Sequence, residues 1–444
     1  MTEQDNAPYI EVISDLNLLP DNFKANSKFT RENFVVFLIK AMGLSDISNN
    51  KSVPFSDVSQ DMASYSALAT AYDLGIINGN GNEFLPKSSV SLNQAIKMTV
   101  SALGYGQLAH AKGGYPTGYI QIAYSLDLLD GISKNPDESI TGNDAARILY
   151  NALNSSVMQV AEIGNGSVSY SDSSGKTMLE VYHGIIPFEG QLRGTKNRVI
   201  SGAYELSQNQ VIIDNTTYKT NGASFDSLVG YTVRAYYSKN KGIIEAIEKS
   251  ESGNKTLVIS ADDISGFANG YLSYSENDKE KKIAIGADCD IAYNGRPASV
   301  VNAALFSLDD GDVTLIDSTG DGSYDTVIIS DFVNYVVSAV ASDEKIIYDL
   351  YDTAKVLEIG ETDEIFVDDF GNIMYFEELK KYDVISVWKS TDGKNIKMNT
   401  KKAPCKIQSV FFYVVFLRIR TSVESKSFCT FGLNSVCLIT SIVE

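Results

Sequence analysis

One helical hairpin, written three times within residues 1–155, limits what this chain can fold into. The central copy, 55–105, is the clearest. Its first helix is expected from about 61 to 74, because Tyr65, Leu68, Ala69 and Tyr72 fall at i, i+3, i+4 and i+7 on one face. Gly75 follows where a helix end needs a residue that tolerates positive φ. Asn-Gly-Asn-Gly at 78–81 is turn chemistry. Ser91 then caps a second helix, with Gln94 at the capping-box position. The flanking copies span about 7–43 and 115–154, and their second helices open on Thr30 and Thr141. Each hydroxyl cap satisfies one orphan N–H and contributes ~1 kcal/mol. Hairpins that cannot bury their apolar faces alone should pack on one another, so 1–155 is expected to form one all-α domain of three lobes.

The central copy resembles an S-layer homology (SLH) repeat. The resemblance rests on Phe55, Asp57 and Val58, the Gly75-Ile76-Ile77-x-Gly79 turn, Phe84-x-Pro86, and the Leu103-Gly104-Tyr105 ending. It implies a bacterial cell-surface protein anchored to the cell wall, with an anionic secondary cell-wall polysaccharide as partner and self-association in a surface layer open to it. It also implies that Thr30 and Arg31, matching the family's Thr-Arg pair at a helix start, bind that polysaccharide. A guanidinium beside free helix N–H groups is a reasonable seat for a carboxylate-bearing sugar; a solvated surface arginine is the plainer alternative. Copies two and three read Ser91-Leu92-Asn93 and Thr141-Gly142-Asn143, without the arginine. Copy one lacks the Phe-x-Asp opening, and Met62 stands where the family often has tryptophan. One arginine in three positions implies weakened or altered glycan binding. Residues 1–155 carry 10 basic and 16 acidic residues, a net of −6, so attraction of an acidic polymer has to be local.

The formal net charge of the 444-residue chain is −19, which argues against a general nucleic-acid binder. His110 and His183 are its two histidines and lie far apart, so a zinc site or a Ser-His triad has little support. Three of four cysteines crowd into the last forty residues, which does not conflict with an extracellular chain whose cores are large. The acidic N-terminus shows no signal-peptide pattern, so a mature or trimmed chain, or a late start, is expected. The longest apolar run, 410–417, is too short to span a bilayer.

After Asn154 helical periodicity gives way to short β-rich runs separated by Gly, Asn, Asp and Ser. An internal repeat aligns 228–237 with 308–317 and 379–388, at offsets of 80 and 71 residues. The expected fold is therefore multidomain α plus β. The helical domain, 1–155, is followed by all-β units at 156–255, 256–335 and 336–404 and an atypical tail, 405–444. Whether the units are separate or interlaced stays open. Trp388 is expected in a strand, in the core rather than as a sugar platform.

Asp317, Thr319, Asp321, Ser323 and Asp325 place oxygens at alternate positions with Gly322 at the sixth, as in the first half of a calcium loop. Ile328 stands where the closing acid belongs, and the loop joins strands, so an acidic hairpin turn is the competing reading. The carboxylates are too scattered to nominate an acid–base pair, and no phosphate loop, nucleophile elbow or metalloprotease helix occurs. The sequence therefore favours a non-enzymatic surface protein. A wall-anchored glycan-active enzyme or a carbohydrate-binding adhesin is its rival. From 401 to 444 the chain turns basic, with six basic and two acidic residues, and its β pattern is lost; a short final strand pair is one reading, and a non-native reading frame beyond about 406, with poor order, is the favoured one.

Overall fold

A computed structural model describes residues 7–401 apart from 22, 46, 49–50, 165–166, 203–204, 299, 360–362, 369–373 and 391–394. The tail at 405–444 lies outside the described residues. Helices α1 (Pro8–Asp15), α2 (Arg31–Ala41), α3 (Tyr65–Asp73), α4 (Leu92–Ala102), α5 (Gly106–Ala111), α6 (Thr117–Ser125) and α7 (Gly142–Leu153) build the three hairpins. Helix α3 begins later than its periodicity suggests, because 59–64 close into turns such as Met62 N–H to Ser59 O. Thr30, Ser91 and Thr141 cap α2, α4 and α7 by accepting the N–H three residues on, at 3.1, 3.4 and 3.3 Å. Gln94 and Asp144 return the bond to the cap N–H and complete two capping boxes.

The hairpins meet on an approximate threefold axis. At its centre Phe29 N–H donates to Ile140 O (3.0 Å), Ile140 N–H to Val90 O (3.0 Å) and Val90 N–H to Phe29 O (2.9 Å), a closed ring. The three side chains are buried there. One step outward each second helix docks on the loop of the next hairpin. Arg31 and Glu32 donate to Ser88 and Pro86, Leu92 and Asn93 to Glu138 and Pro136, Gly142 and Asn143 to Ser27 and Ala25. A single apolar core runs through all three copies, from Phe34 and Leu38 through Leu68 and Ile96 to Ile148. It continues past the helices into Val157, Met178, Leu179, Ile185 and Tyr236.

Strands β1 (Ser156–Gly164) and β2 (Ser167–Thr177) form a hairpin that leads into α8 (Met178–His183). The first β unit holds β3 (Ile185–Gly194), β4 (Gln210–Ile213), β5 (Thr216–Lys219), β6 (Thr232–Ser238) and β7 (Ile243–Lys249), in the antiparallel order β5-β4-β3-β6-β7. The second holds β8 (Lys255–Ser260), an inserted sheet of β9 (Ile264–Ala268), β10 (Tyr271–Glu276) and β11 (Lys279–Ala284), then β12 (Asp290–Tyr293), β13 (Arg296–Pro297), β14 (Gly311–Asp317) and β15 (Thr326–Asp331), in the order β13-β12-β15-β14-β8. The third holds β16 (Val333–Ala341), β17 (Ile346–Asp349), β18 (Val356–Glu358), β19 (Asp363–Asp368), β20 (Val384–Lys389) and β21 (Asn395–Lys401), in the order β18-β17-β16-β20-β21-β19.

The repeat seen in the sequence is a repeat of topology. In each unit a single 3₁₀ turn (Asp226–Leu228, Ala303–Phe306, Phe376–Glu378) precedes the aligned strand, β6, β14 or β20. In all three the aligned strand lies between the unit's first strand and the strand that follows it: β6 between β3 and β7, β14 between β8 and β15, β20 between β16 and β21. In the second unit β12 pairs parallel with β15; in the first β4 pairs with β3 instead, and a parallel bridge joins Thr220, just after β5, to Ile244 on β7. The protein is thus helical in its N-terminal region and rich in antiparallel sheets beyond it. The described residues group into two compact units: those up to Val333 with Trp388–Ile396, and Asn334–Val387 with 397–401. Trp388 is half-buried, its ring 4.9 Å from that of Phe332 and its Nε1–H donating to Ser330 Oγ at 3.1 Å.

Candidate functional site

Thr30 and Arg31 sit at the outer rim of the threefold, where α2 meets the 84–88 loop of the central hairpin. That loop is itself rigid. The Asp57 carboxylate accepts the N–H groups of Phe84 (2.8 Å) and Leu85 (2.7 Å), and Leu85 holds a positive φ of 59°. Gly79 closes the turn below, at a φ of 66°, where a Cβ would stand 2.4 Å from the Phe55 ring. The motif residues Phe55, Asp57 and Gly79 therefore build the platform that receives Arg31.

The Arg31 guanidinium is pinned along one edge. Its Nε–H donates to Phe84 O at 2.8 Å and its carbon lies 4.7 Å from the centre of the Phe84 ring. Its two Nη groups have no hydrogen-bond or ion-pair partner among the described residues, which leaves a fork of donors open. Burial is the main force holding its pKa below the ordinary arginine value, against the opposing pull of Tyr115 and Asp57. Lys97 on α4 stands close enough to feel this charge. Its pKa falls to about 8, first through burial and then through repulsion by Arg31. Lys97 Nζ also donates to Ile76 O at 2.7 Å, tying α4 to the preceding turn.

The helix N–H groups expected beside the guanidinium are taken. Arg31 N–H goes to Ser88, Glu32 N–H to Pro86, and Asn33 N–H to the Thr30 hydroxyl. Thr30 thus acts on the helix, and the open donors belong to Arg31. The helix following Thr30 also carries the buried Glu32, whose carboxylate accepts Ser64 Oγ–H and Lys87 Nζ–H, both at 2.5 Å.

The equivalents of Arg31 show why the other grooves lack the arginine. Leu92 is buried in the core. Gly142 leaves no room for any side chain, since a Cβ there would stand 2.2 Å from Lys24 O. The backbone of 24–25 closes that groove, a close approach that sequence spacing could not reveal.

The loop from Asp317 gathers its carboxylates onto its own backbone. Asp317, almost fully buried, accepts the N–H groups of Gly320, Asp321 and Gly322 at 2.6, 3.1 and 2.8 Å and the Thr319 hydroxyl at 3.4 Å. Burial pushes its pKa up, and the N–H bonds more than offset this, for a net fall. Asp325 accepts Ser318 N–H and Oγ–H, Gln191 and Thr326. Asp321 accepts Ser323 N–H. The three carboxylates thus serve three separate sets of donors. Among the described residues no group of three or more His, Cys, Asp or Glu is gathered to hold a metal. His110 packs on Tyr119 and His183 contacts Ala41 O, in different places.

Residues 54–96 match the model of the S-layer homology domain family. This chain carries an S-layer homology domain. The matched stretch contains the Asp57 platform, the Gly75–Gly79 turn and the start of α4, and so one wall of the Arg31 groove. A cell surface protein of Thermoanaerobacter kivui is 24% identical over 353 residues, covering 74% of this chain and 42% of the relative. A middle cell wall protein of Brevibacillus brevis is 28% identical over 152 residues, 32% of this chain and 14% of the relative. The chain thus spans less than half the length of either curated relative. Among the described residues no helix is long and apolar enough to cross a membrane.

Proposed function

We propose that this chain is a non-enzymatic surface protein, held on the bacterial cell wall by its helical SLH part, with the β units facing outward and contributing to a surface layer. Arg31 takes an anionic secondary cell-wall polysaccharide, and Thr30 positions it by fixing the first turn of α2. The observation that carries this reading is the pinned Arg31 fork, with both Nη groups open beside a second cation, Lys97. A planar carboxylate matches such a fork in two hydrogen bonds. The names of the two relatives, a cell surface protein and a cell wall protein, support the location.

The rival reading, a glycan-active enzyme, needs two carboxylates free to exchange protons across a cleft. Glu248 is the cavity carboxylate whose pKa is raised, chiefly by burial. It accepts the hydroxyls of Tyr150 and Tyr236, each at 2.5 Å, which fixes it as a joint between α7 and the first β unit. The test is sedimentation of the chain with purified wall polysaccharide. Arg31→Ala is expected to weaken binding by roughly 1.5–3 kcal/mol, the worth of a charged hydrogen bond. Unchanged affinity removes Arg31 from the site.

A further inference from the structure

A polar cavity of about 480 Å³ lies between the C-terminal half of α7 and the β3-β6-β7 face of the first β unit. It falls within the ~300–1,000 Å³ range of small-molecule sites. It is distinct from the Arg31 groove, which lies at the start of α2. Its helical wall presents Arg147, Tyr150 and Asn154, and its sheet wall Glu189, Arg234 and Glu248.

The hydrogen bonding in this wall is incomplete. Arg234 has no hydrogen-bond or ion-pair partner among the described residues, although its cross-strand neighbours are Glu189 and Glu248. Its Nε is shut away from solvent without an acceptor, and Asn154 Oδ1 on the opposite wall is shut away without a donor. Buried polar atoms are ordinarily paired, so an unpaired donor and an unpaired acceptor on one cavity are unusual. The surrounding groups are already committed. Arg147 binds Glu251 and Asp130 O, Glu189 accepts Ser250 Oγ–H, and Glu248 accepts the two tyrosines.

We propose that this cavity binds a neutral, hydroxyl-rich saccharide through the open Nη groups of Arg234. A sugar hydroxyl donates and accepts at once, and so suits walls that offer a free guanidinium fork among carboxylate acceptors. The lining carries five carboxylates (Asp127, Asp130, Glu189, Glu248, Glu251) against three cations (Arg147, Arg234, Lys249), a balance that disfavours an anionic ligand. This second ligand differs in charge from the polymer assigned to Arg31, and its site does not depend on that assignment.

The test titrates the full chain with N,N′-diacetylchitobiose by calorimetry, with sodium glucuronate as the anionic comparison. Saturable binding of the neutral sugar is expected. Arg234→Gln should weaken it about tenfold or more, and Arg31→Ala should leave it unchanged. Ser252→Trp, at an exposed position on the rim, should block the cavity and abolish binding even if Arg234→Gln fails to fold. Absence of saturable heat with the folded chain, equal binding by folded Arg234→Gln, or a preference for glucuronate would each overturn the proposal.

Discussion

Polysaccharide binding at Arg31 should take up a proton, and the proton should go to Lys97. Free Lys97 titrates near 8 in place of 10.5, through burial first and Arg31 second. An anion on the Arg31 fork cancels the second cause, so the bound-state pKa lies above the free-state one. Affinity is then complete below about 8 and falls as pH rises above it. Recovering the whole fall would be worth roughly 3.4 kcal/mol, at about 1.36 kcal/mol per pH unit. Burial, the larger cause, persists on binding, and Lys97 is only partly shielded from solvent. The realistic figure is therefore ~1 kcal/mol, or about a fivefold loss of affinity between roughly pH 7 and pH 9.5.

Tyr115, which also couples to Arg31, does not confuse the result. Burial raises its pKa above the usual tyrosine value, so it stays neutral across this window. The assay is sedimentation at the two pH values, with calorimetry near pH 8.5 in two buffers of different ionisation enthalpy to count protons. Lys97→Met should flatten the pH dependence while leaving Arg31 in place. Equal affinity at both pH values without proton uptake, or a dependence that survives in Lys97→Met, refutes the coupling.

Gly142→Ala should destabilise the helical part by ~1–3 kcal/mol, because the new Cβ meets Lys24 O; an unchanged denaturant midpoint would mean the 24–25 backbone yields freely. Melting scans with calcium and with chelator should coincide, since the Asp317, Asp321 and Asp325 oxygens already serve separate donors; a calcium-dependent rise lost in Asp321→Ala would restore the ion site. The pKa of Glu248 is raised in the folded state, so its contribution to stability falls as pH rises from 4.5 toward that higher value. Glu248→Gln keeps an oxygen for both tyrosine hydroxyls and should raise the melting midpoint near pH 7, with its gain shrinking below about 4.5; a lower midpoint near pH 7 would show that the charge itself is needed.

Much of the helical architecture was legible because its signals are local. Hydroxyl caps, a periodic apolar face and a glycine at a helix end act within a few residues, and Thr30, Ser91, Thr141 and Gly75 do in the structure what their spacing suggests. The β repeat was legible at the aligned strands, but the partner of the preceding hairpin was not, since β4 joins β3 where β12 joins β15 and the strand pattern reads the same either way. The calcium-like spacing is ambiguous for a related reason. Alternating oxygens suit an ion, and they suit a loop that folds onto its own N–H groups equally well. Which one prevails depends on where Gly320, Asp321 and Gly322 aim their N–H bonds.

The single arginine among three equivalent positions was visible in the sequence, yet its cause lies between hairpins. The threefold docks each second helix on the loop of its neighbour through the same two backbone bonds. Its three grooves differ in what fills the space above those bonds. At Leu92 the space belongs to the core. At Gly142 the neighbouring backbone fills it, 2.2 Å from any Cβ. At Arg31 a loop held back by Asp57 leaves room for a guanidinium and gives it a carbonyl and a ring to rest on. A near-symmetric scaffold thus becomes a one-site binder by closing two of its grooves. Placing arginine at 92 or 142 should therefore cost stability without adding a second seat.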